Sequence, residues 1–293
     1  MLSTAPFMQI RHFVQKTNQL KAPLQAQSPF ELRVNLGQEV PESEVRKALT
    51  TGDMGFLHSF TTGSTVDGPG VRVVAWTAGC QFRCQYCHNP DTWTMTNGIP
   101  VTVDRSAAEL RKYRSGLKVM AGGFTLSGGE PLLQDRFAMK LLSRARTMGI
   151  HTALDTNGSL GARLSDSEFE NIDLVLLDIK SWDPERHRQL TGSDIEPVLD
   201  FARRLGARKR PIWVRFVLVP DLTDDAENIA QIAGFAASLG TVERVDVLPF
   251  HQMGRFKWKA LGLNYKLAEV QPPLPETVER ACAQFRAEGL SAF

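Results

Sequence analysis

From residue 71 onward, short β-rich runs alternate with helical patterns, and this alternation restricts the possible folds more than any other feature. The candidate strands are residues 71–78, 123–127, 151–156, 173–179, 212–219 and 243–249. Strands separated by helices call for a parallel sheet with right-handed crossovers. Residues 106–120 and 134–148 repeat apolar residues at three- and four-residue spacing, as a helix with one buried face does. Gly149 follows the second as a C-cap. Ser165 with Glu168, and Asp224 with Glu227, read as capping boxes. Residues 224–239 form a further helical stretch closed by Gly240, and residues 275–288 form the last, ahead of Gly289. Six strands fall short of the eight of a closed barrel. An incomplete six-stranded α/β barrel and a doubly wound open sheet both stay open.

The 293 residues are 42% hydrophobic and 23% charged, which excludes a disordered chain or a fibre and leaves room for a large core. Lys and Arg exceed Asp and Glu by only two charges, so bulk electrostatics give no case for nucleic acid or a membrane surface. No apolar run approaches the ~18 residues of a spanning helix. Residues 1–30 contain no acid, while Arg11, Lys16 and Lys21 are basic. An organellar transit peptide has this composition, and so does a frayed or misannotated extension, the reading preferred here. Residues 31–54 pass through Pro41 and Gly52 and suit a linker. The expectation is an N-terminal extension over residues 1–54 and one catalytic domain over 55–293, with the cytoplasm as default compartment and an organelle as alternative.

Polar residues gather where the candidate strands end. They are Ser127-Gly128-Gly129-Glu130, Asp155-Thr156-Asn157, Asp178-Ile179-Lys180, Arg215 within the fifth strand and His251 after the sixth. Sites in parallel α/β folds form at the carboxyl ends of strands, so these clusters point to one shared site.

After the first strand comes Gly79-Cys80-Gln81-Phe82-Arg83-Cys84-Gln85-Tyr86-Cys87-His88-Asn89-Pro90, with three of the chain's four cysteines at the spacing C-x3-C-x2-C. Thiolates select iron–sulfur clusters, zinc or copper(I). Structural zinc needs a fourth ligand. Cys282 lies far away in an amphipathic stretch, and His88 is awkwardly adjacent to Cys87. Three thiolates can instead hold a [4Fe-4S] cluster and leave one iron open for a small molecule.

The C-x3-C-x2-C loop after a first strand resembles the radical S-adenosylmethionine (SAM) enzymes. The resemblance is strongest to their glycyl-radical-enzyme activase family, through His58-Ser59-Phe60, Thr65-Val66-Asp67-Gly68-Pro69-Gly70, Tyr86-Cys87-His88-Asn89 and Asp91-Thr92-Trp93. The later segments Ser127-Gly128-Gly129-Glu130, Leu154-Asp155-Thr156-Asn157-Gly158, Leu177-Asp178-Ile179-Lys180, Leu248-Pro249-Phe250-His251, Lys257-Trp258 and Tyr265-Lys266-Leu267 extend it to about residues 55–293.

The resemblance implies an incomplete (β/α)6 parallel barrel. It implies a [4Fe-4S] cluster on Cys80, Cys84 and Cys87, with SAM on the open iron cleaved reductively to methionine and a 5′-deoxyadenosyl radical. Tyr86, Cys87, His88, Gly128, Gly129, Glu130, Asp178, Ile179, Lys180 and His251 are then the cofactor-binding candidates. Asp155, Thr156 and Asp178 are candidates for a monovalent cation. Asp67 and Arg215 are candidates for holding the substrate loop, although Arg215 suits an ion pair equally well. The implied substrate is a glycine of a large partner. No further cysteine cluster follows Trp93, which favours the compact single-cluster type with pyruvate formate-lyase as that partner. The resemblance also implies flavodoxin or ferredoxin as electron donor, and a monomer is expected. The alternatives are a radical SAM enzyme with another target and, remotely, a zinc-stabilised binding module.

Overall fold

A computed structural model describes residues 32–35 and 38–293; the expectations for residues 1–30 lie outside the described residues. The chain forms two compact units, one of residues up to Cys80 with Thr92–His151, the other of Gln81–Asp91 with Thr152–Phe293.

The first unit contains α1 (Glu42–Thr51), β1 (Met54–Ser64), β2 (Arg72–Thr77), β3 (Ile99–Thr102), α2 (Val103–Val119), β4 (Gly123–Gly128) and α3 (Asp135–Thr147). Its strands lie in the order β3-β1-β2-β4. β2 and β4 are parallel, whereas β1 runs antiparallel to both β2 and β3. The antiparallel pair is absent from the sequence reading, because β1 ends in Thr61-Thr62-Gly63-Ser64 and β3 spans only four residues. The segment expected to be a linker, residues 31–54, contains regular structure. Residues 42–51 are helical, and Val34, Val45 and Met54 are buried together with Val40, Ala48 and Leu49 packed against them. Val34 N–H donates to the Pro100 carbonyl at 2.9 Å, so this segment also covers part of the β3 edge.

The second unit contains β5 (His151–Thr156), β6 (Leu174–Asp178), α4 (Pro184–Thr191), α5 (Glu196–Ala207), β7 (Ile212–Leu218), α6 (Ala226–Ser238), β8 (Val242–Pro249), α7 (Arg255–Ala260) and α8 (Pro275–Ala287). β5, β6, β7 and β8 are neighbours in chain order and all parallel. Ligand sites of doubly wound sheets mark a reversal of strand order. These four strands show none, which is the winding of a barrel. All six expected strands are present within one residue of their expected ends.

Caps explain where the helices begin. Thr102 accepts from Arg105 N–H, so α2 starts three residues before the expected Ser106. Asp225, rather than Asp224, caps α6, accepting from the Glu227 and Asn228 N–H groups. Ser165 and Glu168 do pair, but around a 3-10 turn at Glu168–Asn171. In β7, Ile212, Val214, Phe216 and Leu218 are buried while Trp213, Arg215 and Val217 alternate on the other face.

Candidate active site

Within the second unit, the cysteine loop is fastened at both ends. Arg83 and Gln85 N–H groups donate to the Thr191 and Leu190 carbonyls at 2.7 and 3.0 Å. These carbonyls close α4, where helical geometry leaves acceptors without an intrahelical donor. Gln81 Nε2 donates to Asn157 Oδ1 at 3.1 Å and to Ser159 Oγ at 2.5 Å. Phe82 is buried and meets His187 edge-on at 5.7 Å. Cys87 N–H donates to the Cys84 carbonyl at 3.1 Å, so these two cysteines bracket one turn. At the far end Trp258 Nε1 donates to the Cys87 carbonyl at 2.8 Å, and Lys257 Nζ reaches Asn89 Oδ1 at 2.8 Å and Asp91 at 3.0 Å. In the first unit, Cys80 N–H donates to the Trp93 carbonyl at 3.1 Å.

Cys80, Cys84 and Cys87 form no disulfide and are partly buried. Burial pushes the Cys84 thiol above its ordinary pKa. Among the described residues, no group of three His, Cys, Asp or Glu stands arranged for a metal ion. The donor chemistry nevertheless fits a thiolate-bound cluster: three soft donors share one short loop, and a coordinated iron deprotonates the thiol that burial keeps neutral. His88 is already engaged with His251. Its ring stacks on His251 at 4.0 Å, and its Nε2 lies 3.1 Å from the His251 carbonyl as a donor would. Burial, then the charge of His251, lowers the His88 pKa.

The second unit brings together most of the other candidates. Lys180 Nζ is 2.9 Å from Asp178 Oδ2 and 5.6 Å from the Tyr86 ring centre. Burial alone would lower the Lys180 pKa, but the Asp178 carboxylate, with Tyr86 and Cys84, outweighs it and the pKa is raised. Burial raises that of Tyr86. Ile179 is fully buried, and its N–H donates to the Arg215 carbonyl at 3.2 Å. Arg215 is ion-paired, Nη1 lying 3.0 Å from Asp155 Oδ2 with both side chains mostly buried. Thr156 Oγ1 accepts from Gly158 N–H at 3.0 Å. The two carboxylates of the expected cation site thus each have a cationic partner, Arg215 and Lys180.

The first unit holds Asp67, Gly128, Gly129 and Glu130. Asp67 is buried; its carboxylate accepts from Ser64 Oγ at 2.5 Å and its carbonyl from Thr125 Oγ1 at 2.6 Å. Gly128 has φ 128°, and a Cβ on Gly129 would lie 2.2 Å from the Gly79 oxygen. Both glycines are therefore required by the protein's own backbone, a reason separate from any ligand. Glu130 is fully buried, and its Oε1 accepts from Leu132 N–H at 2.8 Å, capping the 3-10 turn Pro131–Gln134.

Gln134 was not singled out in the sequence. It bonds Phe56 N–H, the Phe56 carbonyl and the Ala78 carbonyl at 2.7 to 2.9 Å, bracing the strand that leads into the cysteine loop. Nothing local signals it, because its partners are 56 and 78 residues away.

A family model described as "Radical SAM superfamily" matches residues 74–233. A protein named pyruvate formate-lyase-activating enzyme from Staphylococcus epidermidis is 43% identical over 234 residues, 78% of this chain and 93% of its own. Its Staphylococcus aureus counterpart matches equally. Among solved structures, a domain of the pyruvate-formate lyase-activating enzyme of Bacteroides vulgatus has 30% identity and a TM-score of 0.50, covering 59% of this chain and 98% of that one. Streptococcus suis SuiB bound to S-adenosylmethionine shares the fold at 15% identity and a TM-score of 0.51, covering 75% of this chain and 45% of that one.

Proposed function

Because the chain belongs to the pyruvate formate-lyase-activating enzyme family of the radical SAM superfamily, we propose that it places a radical on a glycine of pyruvate formate-lyase. The family brings with it the incomplete parallel α/β barrel, an iron–sulfur cluster and SAM. When bound, the reduced cluster and SAM together supply the hydrogen-abstracting 5′-deoxyadenosyl radical. The observation that carries the reading is the loop of three cysteines outside any disulfide at C-x3-C-x2-C spacing, inside a chain 43% identical to the staphylococcal activases.

Cys80, Cys84 and Cys87 would hold the [4Fe-4S] cluster. Tyr86, His88 and His251 offer flat, largely buried rings for the nucleoside side of SAM, and the 4.0 Å ring stack holds two of them in register. Asp178 and Lys180 provide a charged pair beside Tyr86. Ile179 offers only its main chain to a ligand, since its side chain is core. Gly128 and Gly129 would present backbone groups to the methionine part, with Glu130 at the same turn. A monovalent cation at Asp155, Thr156 and Asp178 would have to displace Arg215 and Lys180 as counter-charges. Asp67 and Arg215 would contact the substrate loop, Arg215 from a face of β7 that Asp155 already neutralises. A flavodoxin or ferredoxin would supply the electron to a monomeric enzyme, in anaerobic cytoplasm. Among the described residues no helix is long and apolar enough to cross a membrane.

The test is anaerobic. The protein is reconstituted with iron and sulfide, reduced, mixed with SAM and pyruvate formate-lyase, and followed by electron paramagnetic resonance. A cluster signal that SAM alters, 5′-deoxyadenosine, and a glycyl radical on the partner are expected. A colourless protein that takes up zinc and leaves SAM intact would overturn the proposal.

A further inference from the structure

We propose that Lys257 and Trp258 are positioning residues for Cys87, tying residues 87–91 of the cysteine loop to the segment that follows β8. The inference rests on the reading of that loop as a cluster site.

The helix that carries them has an inverted surface. α7 spans six residues, too few to be stable without tertiary contacts. Its buried side chains are Lys257, 3% exposed, and Trp258, while Phe256 between the same two turns is 50% exposed. A lysine is almost never buried unless it is paired. Burying this one beside Trp258 while Phe256 faces solvent means the polar partners of Lys257 help to orient the helix.

Those partners lie in the cysteine loop and at the residue that follows it. Lys257 Nζ donates to Asn89 Oδ1 at 2.8 Å and to Asp91 Oδ1 at 3.1 Å. Trp258 Nε1 donates to the Cys87 carbonyl at 2.8 Å, with its ring against Tyr265 at 5.2 Å. Close by, a Cβ on Gly254 would lie 2.7 Å from the His88 Cα, so the two backbones approach more closely than any side chain allows. The His88–His251 stack completes the contact. A buried ion pair is a poor source of net stability compared with apolar side chains of similar volume. What it supplies is direction: the buried ammonium draws Asn89 and Asp91 to one point. The indole then fixes the peptide of Cys87 itself, and with it the origin of that side chain.

Trp258→Phe removes the N–H and keeps a ring against Tyr265. Lys257→Met keeps the stem and removes the ammonium. Lys259→Ala, on the exposed side of α7, is the control. Each full-length protein is reconstituted anaerobically with iron and sulfide. Iron release to a ferrous chelator, the paramagnetic resonance spectrum of the reduced cluster and the melting temperature of the metal-free protein are measured. Trp258→Phe is expected to release iron roughly three- to tenfold faster, the factor set by one lost hydrogen bond, and to change the cluster spectrum. Lys257→Met should show the larger effect and Lys259→Ala none. If Lys257→Met fails to fold, Trp258→Phe decides. Wild-type iron release and spectrum in Trp258→Phe, whatever its melting temperature, overturn the inference. A wild-type protein that assembles no cluster overturns the reading of the loop, which is a different result.

Discussion

Replacing Gly129 by alanine tests whether the turn after β4 is set by the protein's own backbone. The added Cβ would sit 2.2 Å from the Gly79 oxygen and 2.8 Å from the Gly79 carbonyl carbon. Real Cβ contacts do not fall below 3.0 Å, so the two segments must part by at least 0.8 Å, and backbone cannot rotate out of the way. Parting them strains two bonds that converge there, Glu130 N–H to the Gly79 carbonyl at 2.8 Å and Gly79 N–H to the Thr92 carbonyl at 2.7 Å. Overpacking costs about 1–3 kcal/mol and each weakened hydrogen bond up to about 1 kcal/mol, giving a loss near 3 kcal/mol. At roughly 2–4 °C per kcal/mol, the metal-free protein should melt about 6–12 °C lower by calorimetry. Cys80 follows Gly79, so iron uptake should fall in the same variant. A melting temperature within about 2 °C of wild type, with full iron content, would refute the reasoning.

Three further outcomes are expected. Deleting residues 1–50 removes Val34 and Val45 from the cluster around Met54. The loss should be about 3 kcal/mol or more, measured by urea denaturation, since each buried valine contributes about 1.5–3 kcal/mol; unchanged stability would show that α1 is dispensable. Arg215→Met leaves the mostly buried Asp155 carboxylate without its guanidinium, at a cost of about 3–5 kcal/mol. Adding Asp155→Leu should restore most of that stability and no glycyl radical formation if Arg215 also holds the substrate. Burial lowers His187, with the Ser193 carbonyl as a smaller opposing influence, and it lowers His88, both from an ordinary 6.5. The unfolded chain therefore binds more protons as pH falls below about 6.5, so stability is complete above that value and declines beneath it. The melting temperature of the metal-free protein should drop between about pH 7.5 and 5.5, and less in His187→Gln; an equal drop in both would remove His187 as a cause.

The six parallel strands were legible because each is a short apolar or alternating run bounded by turn residues, and that signal is local. The antiparallel strand β1 was not, because it ends in Thr61-Thr62-Gly63-Ser64, the first three exposed, and its pairing is made with β2 and β3. The 42–51 helix was hidden for a related reason. Its mean composition is polar, and its few apolar residues acquire meaning only against Met54 and Val34.

The same division runs through the candidate site. By itself, the sequence determined the inventory of candidate groups: three thiols at C-x3-C-x2-C, two glycines and a glutamate after a strand, and acids and bases at strand ends. Spacing along a chain is enough to specify which donors can act together. Only the tertiary structure decided which charges are engaged. It paired Arg215 with Asp155 across 60 residues, and Lys257 with Asp91 across 166. It also turned the lysine of α7 inward and its phenylalanine outward. Ion pairs and helix orientation depend on burial, and burial is a property of what other segments cover, which no local window of sequence contains.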